Sequence, residues 1–141
     1  MQVERVAVVD DELVAAITRL IPQLSSARPP THAELAALVA SAGTSLLIAR
    51  TPSGAIVGAL ILTLYRILTG LQARIDDVVV DEAARGAGIG EALSREAIRI
   101  AREAGARSVN LTSRPERVVA NRLYQRLGFE RLATNAYRFR L

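Results

Sequence analysis

The chain has 141 residues, a formal net charge of +4 and 50% hydrophobic residues. This balance predicts one soluble globular domain, residues 1–141, with a cytoplasmic location and a sizeable core. No stretch is apolar for long enough to span a bilayer, so no membrane partner is expected. The chain contains no cysteine, which excludes disulfides, a thiol nucleophile and thiolate metal ligands.

All 18 basic residues are arginine, and the positive charge raises the question of nucleic-acid binding. The arginines are scattered, however, and several stand at helical ion-pair spacing from glutamates, as in Glu91 with Arg95 and Arg99 with Glu103. We therefore interpret most of this charge as a solvated surface. A nucleic-acid partner is the less favoured interpretation.

Two helices are predicted near the start of the chain. A weak apolar alternation predicts a strand at residues 3–9, and helical spacing predicts a helix over residues 10–24. Thr31 and Glu34 have capping-box spacing and predict the start of a second helix that ends near residue 43. His32, the only histidine, falls in its first turn. We interpret it as a surface residue, with an acceptor contact as the alternative.

Three strands follow, at residues 45–50, 55–66 and 71–81, separated by turns rich in Gly, Pro, Ser and Thr. They predict an antiparallel meander. Gly58, inside the second of them, marks a bulge or a close approach of another backbone.

The second half of the chain predicts a glycine-rich crossover into a parallel strand and a final helix. The predicted elements are a helix at 88–104, a strand at 107–112, a helix at 115–127 with capping-box form at Ser113 and Glu116, and short strands at 129–132 and 136–141.

The segment between Asp76 and Gly90 contains the main functional motif. Val78 to Val80 predict a buried strand, a glycine-rich turn follows, and the period then becomes helical. This order points backbone N–H groups and a helix dipole at one spot, which suits phosphates. Arg85 can add a charge-assisted contact.

Two other interpretations of the glycines stay open. A dinucleotide-binding fingerprint needs Gly-x-Gly-x-x-Gly and a later acidic residue, but here the third glycine comes one position early. The second alternative is a tight turn with a structural role only.

The residues Arg85-Gly86-Ala87-Gly88-Ile89-Gly90 resemble the Arg/Gln-x-x-Gly-x-Gly/Ala signature of the GNAT N-acetyltransferase superfamily, and Asn121 to Phe129 resemble its Asn-x-x-Tyr-x-x-x-Gly-Phe segment. The resemblance implies an α/β (α+β) fold with a mixed, mostly antiparallel sheet of about six or seven strands and about four flanking helices. It also implies acetyl-CoA as co-substrate, no metal, and a small-molecule or peptide amine as acceptor. Dimers are frequent in the family, so the resemblance is compatible with a homodimer and leaves the oligomeric state open.

The same resemblance implies roles for particular residues. Tyr124 would protonate the departing thiolate, although its spacing alone favours a core aromatic residue. Asn121 would contact the cofactor or fix the backbone of the site. The implied cofactor-binding residues are Val78, Val79, Val80, Arg85, Gly86, Ala87, Gly88, Ile89, Gly90, Glu91 and Asn121.

Asp76 and Asp77 are the carboxylates nearest in sequence to the implied carbonyl site, and either could act as the base, directly or through water. Some members of the family have a longer glutamate near this position. Binding of a cationic acceptor, or pairing with Arg74, is the alternative role. A catalytically silent acyl-CoA-binding domain is the alternative function.

Overall fold

The computed structural model describes residues 1–141 and contains one five-stranded sheet. Its strands are β1 (Gln2–Arg5), β2 (Thr44–Arg50), β3 (Ile56–Ile67), β4 (Gly70–Val80) and β5 (Val109–Asn110). They lie side by side in chain order. The pairs from β1 to β4 are antiparallel, and β5 is parallel to β4. This mixed sheet is the predicted fold class.

Four α-helices accompany the sheet: α1 (Asp11–Leu20), α2 (His32–Ala40), α3 (Ile89–Glu103) and α4 (Val118–Arg126). The capping box predicted for α2 is present: Thr31 Oγ1 accepts from the Glu34 N–H, and Glu34 accepts from the Thr31 N–H. The helix α1 ends earlier than predicted, and Pro22 lies in the 3₁₀ turn Ile21–Gln23 that follows it.

The core has two parts, one on each face of the sheet. On one face, α3 packs against β2, β3 and β4, with Leu60 and Leu93 fully buried. On the other face, α1 and α2 pack around Leu20 and Leu46. Burying each such leucine contributes about 1.5–3 kcal/mol, so both helical layers are anchored by the hydrophobic effect.

A β-bulge interrupts β4 at the functional motif. The register between β3 and β4 shifts between Ala59 and Ile61, and Asp77 has a left-handed backbone with φ 53°. The extra residue changes the alternation, so Val78 packs on the same face as Ile75. The bulge therefore changes which face of the sheet each side chain at the end of β4 occupies.

The strands β4 and β5 separate after a short contact. Only Ala73 and Arg74 pair with β5, opposite Val109 and Asn110. Residues 75–80 of β4 have no partner strand on this side. The sheet is therefore open next to the bulge.

The two predicted closing strands are absent. Residues 130–141 are exposed and form no ladder, and the last backbone hydrogen bond involves the Phe129 N–H. The sheet thus has five strands instead of six or seven. Alternation of Tyr137, Phe139 and Leu141 is typical of a strand, but a strand also needs a paired edge, and β5 is only two residues long.

The capping box predicted at Ser113 and Glu116 is also wrong. Helix α4 begins at Val118, and its N-cap residue, Arg117, has no capping hydrogen bond from its side chain. The Ser113 hydroxyl has no hydrogen-bond partner. Asn121 satisfies the backbone of this turn in its place, as described below.

Candidate functional site

The glycine loop between β4 and α3 depends on left-handed backbone angles. Gly86 and Gly88 have φ of 86° and 77°, and a Cβ at either position would meet no atom within 4 Å. Glycine is therefore required here by backbone conformation and not by crowding. Gly88 is also the N-cap residue of α3.

The same loop presents a run of free donors. The backbone N–H groups of residues 86–91 find no acceptor within the protein, while the N–H of Ala92 is the first to bond into the helix, to Gly88. The dipole of the 15-residue helix α3 adds partial positive charge at this end. A concentration of unpaired N–H groups at a helix start fits the phosphates of an acyl-CoA. Arg85, whose Nε donates to the Val80 carbonyl at 3.3 Å, is exposed beside them.

Gly90, unlike Gly86 and Gly88, is closely surrounded by other side chains. A Cβ there would lie 3.3 Å from Leu123 Cδ2 and 3.8 Å from Val80 Cγ2. The end of β4, the first turn of α3 and the helix α4 therefore meet at this glycine, and α4 is brought beside the loop.

Gly58, on β3, likewise leaves room for a neighbouring element, in this case α3. A Cβ at Gly58 would lie 2.9 Å from Ile89 Cγ2 and 3.1 Å from Leu93 Cδ1. The sequence predicts a bulge or a close approach of another backbone here. The register between β2 and β3 does shift beside Gly58, at Ala49 and Arg50, but the groups that approach most closely are side chains of α3. The helix α3 can sit low on β3 because position 58 has no side chain.

Tyr124 is 6% exposed, and its ring meets Phe129 edge-on with 5.7 Å between the ring centroids. Burial raises the pKa of the Tyr124 phenol, and the positive charge of Arg117 opposes this only partly. The hydroxyl therefore keeps its proton at neutral pH, as a general acid must.

Asn121 fixes the backbone before α4. Its side-chain amide donates to the carbonyls of Arg114 at 2.9 Å and Arg117 at 2.8 Å. Of the two roles implied for Asn121, the structure therefore displays the backbone role.

A cavity of about 900 Å³ lies between α3, β5, α4 and the C-terminal segment. Tyr124, Asn121 and Ser113 line it, and Arg74 reaches across the opening between the strands, 3.3 Å from Thr112 Oγ1. The cavity joins the α4 residues to the point where β4 and β5 separate.

The two aspartates of the bulge differ in their surroundings. Both carboxylate oxygens of Asp76 lie 3.2 Å from Arg74 Nε, so the pairing suggested for the acidic pair is present. Asp77 forms no such bond. Asp77 is exposed at the surface, but partial desolvation of its carboxyl group, together with the negative charge of Asp76, raises the pKa of Asp77. Asp77 is thus the carboxylate of the pair that has no hydrogen-bond or ion-pair partner within the protein.

The remaining predicted residues fall into two groups. The side chain of Val79 is buried towards α1, whereas those of Val78 and Val80 pack on the α3 face. No valine side chain therefore points into the gap between β4 and β5. The loop residues and both aspartates lie outside the lining of the cavity. His32 is exposed.

The sequence does not predict the contacts of Arg19 and Gln23 with the segment that leads into the glycine loop. Both come from the α1 region and reach the start of the loop, more than fifty positions away in sequence. No local pattern indicates such long-range contacts. The sequence predicts a capping role for Ser113, whereas in the structure its side chain lines the cavity.

No group of three His, Asp or Glu side chains is arranged to hold a metal ion. None of the helices combines the length and apolarity needed to cross a bilayer.

Comparison with known proteins assigns the fold to a family. Residues 6–129 match the family described as "Acetyltransferase (GNAT) family". No curated protein sequence matches the chain.

Solved structures resemble the whole chain. An acetyltransferase of Trypanosoma brucei is 31% identical, with a TM-score of 0.79, and the match covers 99% of this chain and 100% of that one. A protein of Agrobacterium tumefaciens C58 is 25% identical, with a TM-score of 0.86 and full coverage of both chains. A ribosomal-protein-alanine N-acetyltransferase of Brucella melitensis shares the fold, with a TM-score of 0.79 at 21% identity and full coverage of both chains. On the family match and the similarity to the trypanosomal enzyme, this chain belongs to the GNAT acetyltransferase family.

Proposed function

We propose that the protein is an acetyl-CoA-dependent N-acetyltransferase that moves an acetyl group to a primary amine by direct attack. The observation that carries the proposal is the run of unpaired backbone N–H groups at residues 86–91, at the start of α3 and beside the open edge of β4. Such a run binds phosphate oxygens. The residues assigned to this part of the site are Arg85, Gly86, Ala87, Gly88, Ile89, Gly90 and Glu91.

The acyl arm would then follow the open edge of β4. Residues 75–80 lack a partner strand on that side. Backbone groups of an antiparallel strand point alternately to its two sides, so those of Val78 and Val80 are available to the acyl arm, whereas those of Val79, like the N–H of Asp81, face β3. Backbone N–H groups can stabilise an oxyanion at the thioester carbonyl. Asn121 supports this part indirectly by fixing the turn before α4.

The proposed reaction has two proton transfers, one from the attacking amine and one to the departing thiolate. The amine nitrogen attacks the thioester carbon, a C–N bond forms, and the resulting tetrahedral oxyanion collapses with cleavage of the C–S bond. Tyr124 donates its phenolic proton to the leaving thiolate and regains one from solvent. Asp77, directly or through water, takes the proton lost by the amine, while Asp76 acts through its charge on Asp77.

Two features support these assignments. The pKa of Tyr124 is raised by burial, which keeps the acid protonated. The pKa of Asp77 is raised as well, which brings a base closer to the operating pH. Asp76 and Asp77 together also offer negative charge to a cationic amine. The acceptor class in this proposal remains a small-molecule or peptide amine, with the reaction taking place in the cytoplasm.

The test is an acetyl-transfer assay over a panel of small amines and peptides, with detection of the released CoA thiol. The chain suits it because it has no cysteine thiol to add to the signal and no lysine to accept acetyl groups. The proposal predicts thiol release that depends on one class of amine, with the acetylated amine detected by mass spectrometry. Binding of acetyl-CoA without turnover of any amine would favour the silent acyl-CoA-binding domain instead.

A further inference from the structure

The start of the glycine loop is held by residues from the first helix of the chain. Gln23, in the 3₁₀ turn after α1, accepts a hydrogen bond from the Glu82 N–H at 2.8 Å. Arg19, on α1, donates from Nη2 to the Ile56 carbonyl at 2.6 Å, and its Nε lies 3.5 Å from Asp81 Oδ2. One side chain thus touches both the first residue of β3 and the residue that follows β4.

These contacts fall on the short segment that determines where the loop begins. Asp81 is also bound through its N–H to the Val57 carbonyl at 2.8 Å, and its carboxylate accepts from the Ala83 N–H at 3.2 Å. The 3₁₀ turn Glu82–Ala84 follows at once and leads directly into the run of free N–H groups. The direction of those donors is therefore set at residues 81–84.

Between this segment and Ile89, which is buried in the core, the loop has few other contacts. No atom lies within 4 Å of a Cβ built on Gly86 or Gly88, and the N–H groups of residues 86–91 bond to nothing in the protein. Donors that must converge on one anion lose affinity when they are free to move, because binding must then supply the ordering.

The contacts of Arg19 and Gln23 are peripheral to the core. The Arg19 side chain is 47% exposed and that of Asp81 is 19% exposed. Ion pairs of this exposure contribute little to global stability. A role in placing the loop explains these contacts better than a role in holding the fold together.

We propose that Arg19 and Gln23 are positioning residues for the phosphate loop, through which α1 and its 3₁₀ turn determine the affinity for the acyl-CoA substrate. This inference rests on the proposed function. The two residues touch the loop and not the reacting atoms, so their removal should weaken binding of acetyl-CoA without slowing the chemical step.

The experiment compares four variants of the full chain. Arg19→Met and Gln23→Met remove the contacts at nearly constant length, and Arg19→Lys keeps one charged donor. Arg28→Met is the matched control, since Arg28 is exposed, pairs with Glu34 at 2.9 Å and has no contact with the loop. For each, the dissociation constant of CoA is measured by calorimetry, together with KM for acetyl-CoA, kcat, the melting temperature and the amide exchange rate of Glu82.

For Arg19→Met and Gln23→Met we expect dissociation constants and KM values about tenfold higher, which corresponds to about 1.4 kcal/mol, with kcat within about twofold of the parent. Arg19→Lys should give an intermediate value, and Arg28→Met the parent value. Gln23→Met should also speed exchange of the Glu82 amide, whose acceptor it removes.

Parent-like CoA affinity in both Met variants, with the parent protein binding CoA, would overturn the inference while leaving the proposed function intact. So would a fall in kcat at constant KM, or a lower melting temperature as the sole effect. If the parent protein binds no CoA, the proposed function fails, and the positioning role fails with it. Should Arg19→Met not fold, Gln23→Met and Arg19→Lys decide the question.

Discussion

Asn121 and Tyr124 lie three residues apart on α4 and line the same cavity, yet they are suited to different tasks. The amide of Asn121 is committed to two backbone carbonyls of the preceding turn. The phenol of Tyr124 is buried beside Phe129, and burial raises its pKa. One residue therefore fixes the backbone, and the other is available as a proton donor.

Replacing Tyr124 with phenylalanine removes the hydroxyl while keeping the ring packed on Phe129. We expect kcat to fall by about 10²–10⁴, the usual contribution of a general acid, and the dissociation constant of CoA to stay within about twofold. Steady-state kinetics and calorimetry check this. Tyr137→Phe, at a site that is 90% exposed, is the control. An unchanged kcat would remove the acid role from Tyr124.

The acidic pair predicts a shift in the pH profile. A base must be ionised, so kcat/KM should fall as the pH drops through the pKa of Asp77, which burial and the charge of Asp76 raise above its ordinary value. Asp76→Asn removes the second cause and also releases Arg74 from its partner. Both changes lower the pKa of Asp77, so the acid limb should move to lower pH.

The measurement is kcat/KM for the amine against pH in the parent and in Asp76→Asn. Asp11→Asn, in the first turn of α1, controls for the loss of a negative charge elsewhere. An acid limb that stays in place in Asp76→Asn, or moves to higher pH, would show that Asp77 is not the group being titrated.

At the scale of elements, local signals predict most of the fold. The capping box at Thr31 marks the start of α2 to the residue, and the apolar runs place β2, β3 and β4 within a few positions of their observed bounds. The same kind of signal fails at Ser113, because the cap pattern does not reveal that the chain makes a further turn before α4 begins at Val118.

The packing of α3 on β3 depends on the absence of a side chain at Gly58. Gly58→Ala would place a Cβ 2.9 Å from Ile89 and 3.1 Å from Leu93, which forces α3 away from β3. We expect a loss of about 1–3 kcal/mol in the free energy of unfolding, the usual effect of overpacking. Urea denaturation followed by circular dichroism measures it. A stability equal to the parent's would mean that α3 does not pack as closely as described.

At the scale of the whole molecule, the site is assembled from parts that lie far apart in sequence. The glycine loop and the Asn121/Tyr124 segment carry recognisable motifs, so these parts of the candidate site could be predicted. The contacts of Arg19 and Gln23 with the loop could not, since they join residues more than fifty positions apart. The C-terminal strands were wrongly predicted because strand pairing is decided by the available edge and not by alternation alone.

The central claim is that the loop binds the phosphates of an acyl-CoA, and isothermal titration with CoA and acetyl-CoA tests it most directly. Gly88→Glu puts a negative side chain, in a strained left-handed conformation, among the free N–H groups. Gly105→Glu is the matched control. Its φ of 83° is similar and its surroundings are also open, but it lies at the other end of α3. The account predicts micromolar binding by the parent and by Gly105→Glu, and none by Gly88→Glu. Equal affinity in Gly88→Glu, or no binding by the parent, would contradict it.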